Sequence, residues 1–263
     1  MLCMRRTVAL LALTTLLCAC ASLEDPTRDW SAEQLYNEGK ARLNDGDYQT
    51  AIQQFERIQA RYPYGRHAEQ AQLEIAYAYY KNNEPALAVA AADRFIRQYP
   101  THPNVDYAYY LKGLTNFKGE RGILEWIVGG PDDHIDRDPR ATREAYAAFQ
   151  ELVTRFPNSR YAPDAAQRMA YLVESQARYE IMVARYYFDR GAYVATVNRC
   201  QYALKTYPRT PSIADALGLQ AMAYKMMGLH DLMGDTLRIL RMNFPDSRYF
   251  TEIETLEAPD DTG

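Results

Sequence analysis

Apolar residues recur every three or four positions through most of the chain. The stretch YNEGKARLNDGDYQTAIQQFERIQARYP, residues 36–63, is typical, and that spacing lines one face of an α-helix. No segment alternates apolar and polar residues over strand length, so the pattern predicts an all-α protein. Helix starts are marked as well. Ser31-Ala32-Glu33-Gln34 reads as a capping box, and Asp138-Pro139 as an N-cap followed by proline at the first helical position. Helix ends are marked by an aromatic residue before proline: Tyr62-Pro63, Tyr99-Pro100, Phe156-Pro157, Tyr207-Pro208 and Phe244-Pro245. Proline cannot continue the hydrogen-bond ladder and holds the residue before it out of the helical region.

These prolines stand 37, 57, 51 and 37 residues apart, so the chain repeats itself. Ala51 lies twelve residues before Pro63 and Phe55 eight before it, and Gly39 is taken to open the preceding helical pattern. Ala145, Phe149 and Pro157 keep the same spacing, whereas Ala92, Cys200 and Leu237 stand at the phenylalanine position of the other units. The arrangement resembles the tetratricopeptide repeat, whose units end in proline and carry small and aromatic residues at these offsets. The resemblance implies a solenoid of about five helix-pair units over residues 32–256, with an insertion at 119–138. Small residues would let paired helices approach, and the aromatic would fill the space between them.

The first twenty residues, MLCMRRTVALLALTTLLCAC, have a different pattern. Arg5 and Arg6 precede an apolar run from Thr7 to Cys18, shorter than the about 20 residues that a spanning helix needs. That is the form of a signal peptide, residues 1–19. Leu17-Cys18-Ala19-Cys20 resembles the bacterial lipobox, which implies a lipid on Cys20. Ala21, not Asp, follows that cysteine, so the resemblance implies the outer membrane and its periplasmic face. Residues 20–31 would then be the lipidated N-terminus and linker. With Cys3 and Cys18 lost and Cys20 acylated, Cys200 has no disulfide partner, so stability must come from a large core.

Composition excludes more than it suggests. With 48% hydrophobic and 24% charged residues the chain can bury a sizeable core. Losing Arg5 and Arg6 leaves 28 basic residues against 34 acidic ones, a net charge of −6, which argues against a nucleic-acid partner. The four histidines form no HExxH and no CxxC accompanies them, so no metal is expected. Asp132 to Asp138 superficially looks like a calcium loop, but Arg137 and Arg143 occupy the glycine and bidentate-glutamate positions. Nucleophile motifs and phosphate loops are absent too, and neither an enzyme nor a non-covalent cofactor is expected.

Three further segments stand out. The insertion GERGILEWIVGGPDDHIDRD carries an apolar run around Trp126, which suits a loop folded inward or a partner-binding loop. The tail at 257–263 is short and acidic and is expected to be disordered. Among 22 tyrosines, Tyr36, Tyr77, Tyr80, Tyr107 and Tyr110, with Lys40 and Lys81 beside them, fall where such repeats face a concave groove. Tyrosine suits peptide binding, but it equally fills gaps between stacked helices.

A closer resemblance rests on YAYYKN (77–82), DRFIRQYPTHPNVDYAYYLKGLTN (93–116), DRDP (136–139), FPNSRY (156–161) and ARYEIMVARYYFDRGAYVATVNR (177–199). Together these are similar to the BamD, or ComL, family of outer-membrane lipoproteins. The resemblance implies a scaffold of the β-barrel assembly machine that docks to the POTRA domains of BamA and to small accessory lipoproteins. It also implies that the tyrosine groove reads C-terminal signals of unfolded barrel proteins. Partner contact would fall on Asp189, Arg190, Tyr193 and Arg199, although Arg199 could instead make an internal salt bridge. A lipoprotein scaffold for peptidoglycan synthesis or cell division is the alternative.

Overall fold

A computed structural model describes residues 25–117 and 139–256. The signal peptide, Cys20, the insertion at 119–138 with Trp126, and the tail at 257–263 lie outside the described residues. Contacts divide the chain into two compact units that meet in sequence at Asn83 and Glu84.

The first unit holds α1 (Ala32–Asn44), α2 (Tyr48–Arg61) and α3 (Arg66–Lys81), each packed on the other two. The capping box forms as expected. Ser31 Oγ accepts from Gln34 N at 3.2 Å, and Gln34 Oε1 accepts from Ser31 N at 2.8 Å. Ala51, Ile52, Phe55 and Ile58 form the buried face of α2. Gly39 does not open a helix, as its place in the repeat suggested. It sits inside α1, where an added Cβ would stand 2.6 Å from Phe55 Cε1. The glycine is there to let α1 lie against a phenylalanine ring.

The second unit contains α4 (Pro85–Gln98), α5 (Val105–Asn116), α6 (Pro139–Arg155), α7 (Ala162–Phe188) and α8 (Tyr193–Thr206). It continues with α9 (Ile213–Met226), α10 (His230–Asn243) and the short α11 (Tyr249–Thr255). Each of α4 to α9 packs on the next, while α9 also meets α7 and α11. Gly113 of α5 repeats the role of Gly39, with a hypothetical Cβ 2.4 Å from Phe149 Cε1. Twenty extra residues separate this second glycine–phenylalanine pair, so the insertion falls between the two helices of the third repeat. In the fourth repeat Ala184 and Cys200 stand at the corresponding positions, sixteen residues apart, and both are fully buried in one cluster. A small side chain paired with a thiol thus replaces a glycine paired with a ring.

The five aromatic-proline pairs all end helices in the same way. Tyr62, Tyr99, Phe156, Tyr207 and Phe244 each donate a last backbone hydrogen bond of 2.7–2.8 Å to the carbonyl four residues back. The backbone then leaves the helix, with ψ of 62°, 58°, 48° and 67° at Tyr62, Tyr99, Tyr207 and Phe244. Every described element is helical, as expected of a tetratricopeptide-type protein. The seven-residue α11 lies beyond the fifth repeat. Its Tyr249 is 1% exposed and covers Gly218, where a Cβ would meet Tyr249 Cγ at 2.0 Å.

Candidate functional site

Five of the seven groove residues lie in the first unit. Tyr36 is half-buried on α1, its ring 5.8 Å from Phe55 and 5.5 Å from His67. Its hydroxyl donates to Glu74 Oε1 on α3 at 3.2 Å, and Lys40 Nζ, one turn along α1, donates to the same oxygen at 2.9 Å. Tyr36 and Lys40 therefore spend their polar ends joining α1 to α3. Tyr77 and Tyr80 are half-buried on α3 with rings 6.4 Å apart, and Lys81 at the end of that helix is exposed.

The second unit builds a matching knot from different residues. Tyr110 of α5 donates to Asp164 Oδ2 of α7 at 2.6 Å, and Arg168 Nε reaches that oxygen at 2.6 Å. The Tyr110 ring is stacked on Tyr161 at 4.7 Å, and Tyr107 meets Tyr161 at 5.3 Å. The Arg168 guanidinium lies 4.9 Å from the Phe117 ring centre. In both knots a tyrosine bonds a carboxylate two helices further along the chain, and a neighbouring cation balances the charge.

Burial, reinforced by the adjoining carboxylate, pushes the phenols of Tyr36 and Tyr110 up to about 12. A phenol whose pKa is raised on folding adds stability that is complete below pH 10 and disappears as pH rises towards 12. Titration of phenolate absorbance should thus show a late class of tyrosines, and Glu74→Gln with Asp164→Asn should shift part of that class towards 10. An unchanged late class in the double variant would contradict this assignment.

Asp189, Arg190 and Tyr193 lie where α7 turns into α8, and Arg199 lies further along α8. Asp189 caps α7, and Gly191, at φ 72°, reverses the chain. The Arg190 guanidinium lies 3.5 Å from the centre of the Tyr186 ring, and Tyr193 packs edge-on against Phe188 at 5.5 Å. Arg199 Nη1 bonds Glu180 Oε2 at 3.1 Å, and Glu180 is only 9% exposed. The internal salt bridge is thus present. Along the outer face of α7, Tyr179, Met182 and Tyr186 are exposed at 47%, 38% and 52%.

Among the described residues no three His, Cys, Asp or Glu side chains converge as metal ligands, and no helix is long and apolar enough to cross a membrane. In each unit the described site consists of helices tied by tyrosine–carboxylate bonds, with aromatic faces beside them.

Residues 28–240 match the family model YfiO, described as outer membrane lipoprotein. The chain belongs to the YfiO family. Its relatives include a protein of Neisseria meningitidis serogroup A named "Outer membrane protein assembly factor BamD". The two are 47% identical over 225 residues, which span 86% of this chain and 84% of the relative. A Vibrio cholerae protein of the same name is 40% identical over 89% of this chain and 96% of its own. The Haemophilus influenzae protein of that name is 36% identical over 97% and 96%. As a YfiO-family member the protein is an outer-membrane lipoprotein, in agreement with the lipobox reading.

Sequence reasoning missed the acidic halves of both knots. The i,i+4 spacing of Asp164 and Arg168 was readable as a helical ion pair. Nothing in the local sequence says that Asp164 or Glu74 also receives a tyrosine from another helix.

Proposed function

We propose that this YfiO-family protein acts as an assembly factor for outer-membrane proteins within the β-barrel assembly machine, held by a lipid on Cys20. The observation that carries the reading is the 47% identity, over 86% of the chain, to a protein bearing that assembly-factor name. On this reading it works as a scaffold rather than a catalyst. The α7–α8 corner docks to the POTRA domains of BamA, with Arg190 and Tyr193 as contacts, and Arg199 divides its role between that surface and Glu180. Accessory lipoproteins and unfolded barrel proteins complete the set of partners. Family membership disfavours the peptidoglycan-synthesis alternative.

For cargo, the reading assigns first-unit contact to Tyr77, Tyr80 and Lys81. Tyr36 and Lys40 support them by holding α1 against α3 through Glu74. Tyr110 has a similar supporting role in the second unit, where Tyr107 adds an aromatic face beside Tyr161. A barrel signal is extended, ends in an aromatic residue and carries a terminal carboxylate, so it offers rings to tyrosines and a charge to lysine. Each ring contact contributes about 0.5–1.5 kcal/mol beyond burial, and an exposed charge pair contributes at most about 1 kcal/mol. Tyr80→Ala with Lys81→Ala should therefore raise the Kd of such a peptide roughly 5- to 30-fold at about 1.4 kcal/mol per decade, with helicity and BamA capture unchanged. Fluorescence anisotropy with a labelled peptide measures this. Equal binding by the double variant, or by a peptide lacking its terminal aromatic, would refute the cargo assignment.

A further inference from the structure

The short segment before α1 is fastened to the far end of α2. Arg61 donates through Nη2 to Asp25 Oδ2 and through Nη1 to the Thr27 carbonyl, while Arg57 Nη2 stands 3.6 Å from Asp25 Oδ1. Thr27 closes back on Asp25 through both its amide, at 3.0 Å, and its hydroxyl, at 2.8 Å, and is 4% exposed. Tyr62 then donates to the Trp30 carbonyl at 2.8 Å. Residues 25–30 are thereby held against the corner between α2 and α3. α1 itself is started by the capping box at Ser31.

That fastening limits how far the corner can stand from the lipid. Five residue steps join Cys20 to Asp25, and at ~3.3–3.6 Å each they span at most about 18 Å. Without the clamp the free tether would run on to Ser31, more than doubling its residue count. The clamp thus keeps one corner of the protein close to the membrane surface.

The side chains at that corner suit such a surface. Tyr64, in Tyr62-Pro63-Tyr64-Gly65-Arg66, is 92% exposed, and Tyr62 is 37% exposed. Arg28, in the clamped segment, and Arg66, at the start of α3, are exposed as well. Arg28, Arg57, Arg61 and Arg66 against Asp25, Asp29 and Glu69, in the first turn of α3, leave the corner at +1, while the chain after Cys20 carries −6. Tyrosine is favoured at the headgroup level, where its ring is shielded and its hydroxyl stays wet. Arginine near an anionic leaflet gains from the surface potential within a Debye length.

We propose that the α2–α3 corner is a lipid-surface contact, in which Tyr64 seats among the headgroups and Arg28 and Arg66 face the phosphates. The proposal rests on the lipid at Cys20 proposed above, because the tether length is measured from it. The clamp of Asp25 on Arg61 and Arg57 sets which face of the first unit meets the bilayer.

The test uses the full lipidated chain in vesicles of phosphatidylethanolamine and phosphatidylglycerol. Tyr64→Trp is compared with the parent, whose Trp30 and Trp126 supply the background. The introduced emission should be blue-shifted and quenched roughly twofold by lipids carrying a nitroxide near the headgroup, as for an interfacial aromatic. Adding Asp25→Ala should remove most of that quenching while circular dichroism stays unchanged. If the protein is on the vesicles but the emission is water-like and unquenched, the contact is wrong and the lipid assignment stands. If Asp25→Ala leaves the quenching intact, the clamp does not orient the corner and the proposal fails. If Cys20→Ser binds the vesicles as well as the parent, the lipid assignment fails and the tether argument goes with it.

Discussion

Gly113→Ala is expected to destabilise the second unit by about 2–3 kcal/mol, although alanine is the better helix former by about 1 kcal/mol. The added Cβ would stand 2.4, 2.5 and 2.8 Å from three carbons of the Phe149 ring. That ring is fully buried, with Phe117 at 6.0 Å and Tyr110 at 6.1 Å, so it has nowhere to turn. Overpacking of a close-packed core typically costs about 1–3 kcal/mol, occasionally more. The fourth repeat supplies the control, because there Ala184 and Cys200 occupy the corresponding buried positions. Phe149→Cys alone leaves a cavity and should cost about 3 kcal/mol. Combined with Gly113→Ala it should cost clearly less, because the methyl fills part of the space. Urea denaturation followed by circular dichroism measures the cycle. Strictly additive costs would show that the two positions do not share one volume.

Cys200→Asp should be costlier still, about 3–5 kcal/mol, through burial of a charge with no partner built for it. Cys200 is fully buried, and that burial pushes its thiol up to about 12. Arg185, the cation that acts on this thiol, already serves the Tyr249 hydroxyl at 3.2 Å and Glu252 at 3.8 Å. The introduced carboxyl would have a pKa above its unfolded value. Its penalty should therefore be smallest below about pH 4, grow as pH rises towards the folded pKa, and then level off. Cys200→Ala removes one sulfur and should cost only about 1 kcal/mol. In the native parent a small maleimide should react slowly, since the reactive thiolate is scarce and covered. Rapid labelling, or equal stability of the aspartate and alanine variants, would overturn this account.

These predictions show how unevenly the molecule could be read in advance. Helix ends were legible because the aromatic-proline pair acts locally: the aromatic can still donate to the turn behind it, and proline cannot. The capping box at Ser31 was legible for the same reason. Gly39 was misplaced because a glycine inside a helix looks like a helix boundary until the ring it faces is known. The seven-residue α11 went unseen, since two turns are too short for a periodic pattern to stand out. Its place is secured by Tyr249 covering Gly218.

The candidate site divides along the same line. Tyr36, Tyr77, Tyr80, Tyr107 and Tyr110 could be chosen from the repeat period, but the period could not say which would bind and which would brace. Tyr36 and Tyr110 are joined to Glu74 and Asp164, which lie 38 and 54 residues away. For α7 the sequence ARYEIMVARYYFDR is apolar on more than one face, so it does not reveal that Tyr179, Met182 and Tyr186 look outward. Sequence alone determined the helices, their ends, the repeat and the address, because each depends on residues within about one turn or on a fixed period. Tertiary structure decided which ring lies on which glycine, which carboxylate takes which tyrosine, and which apolar face stays uncovered. Those outcomes depend on volumes and charges brought together from distant parts of the chain.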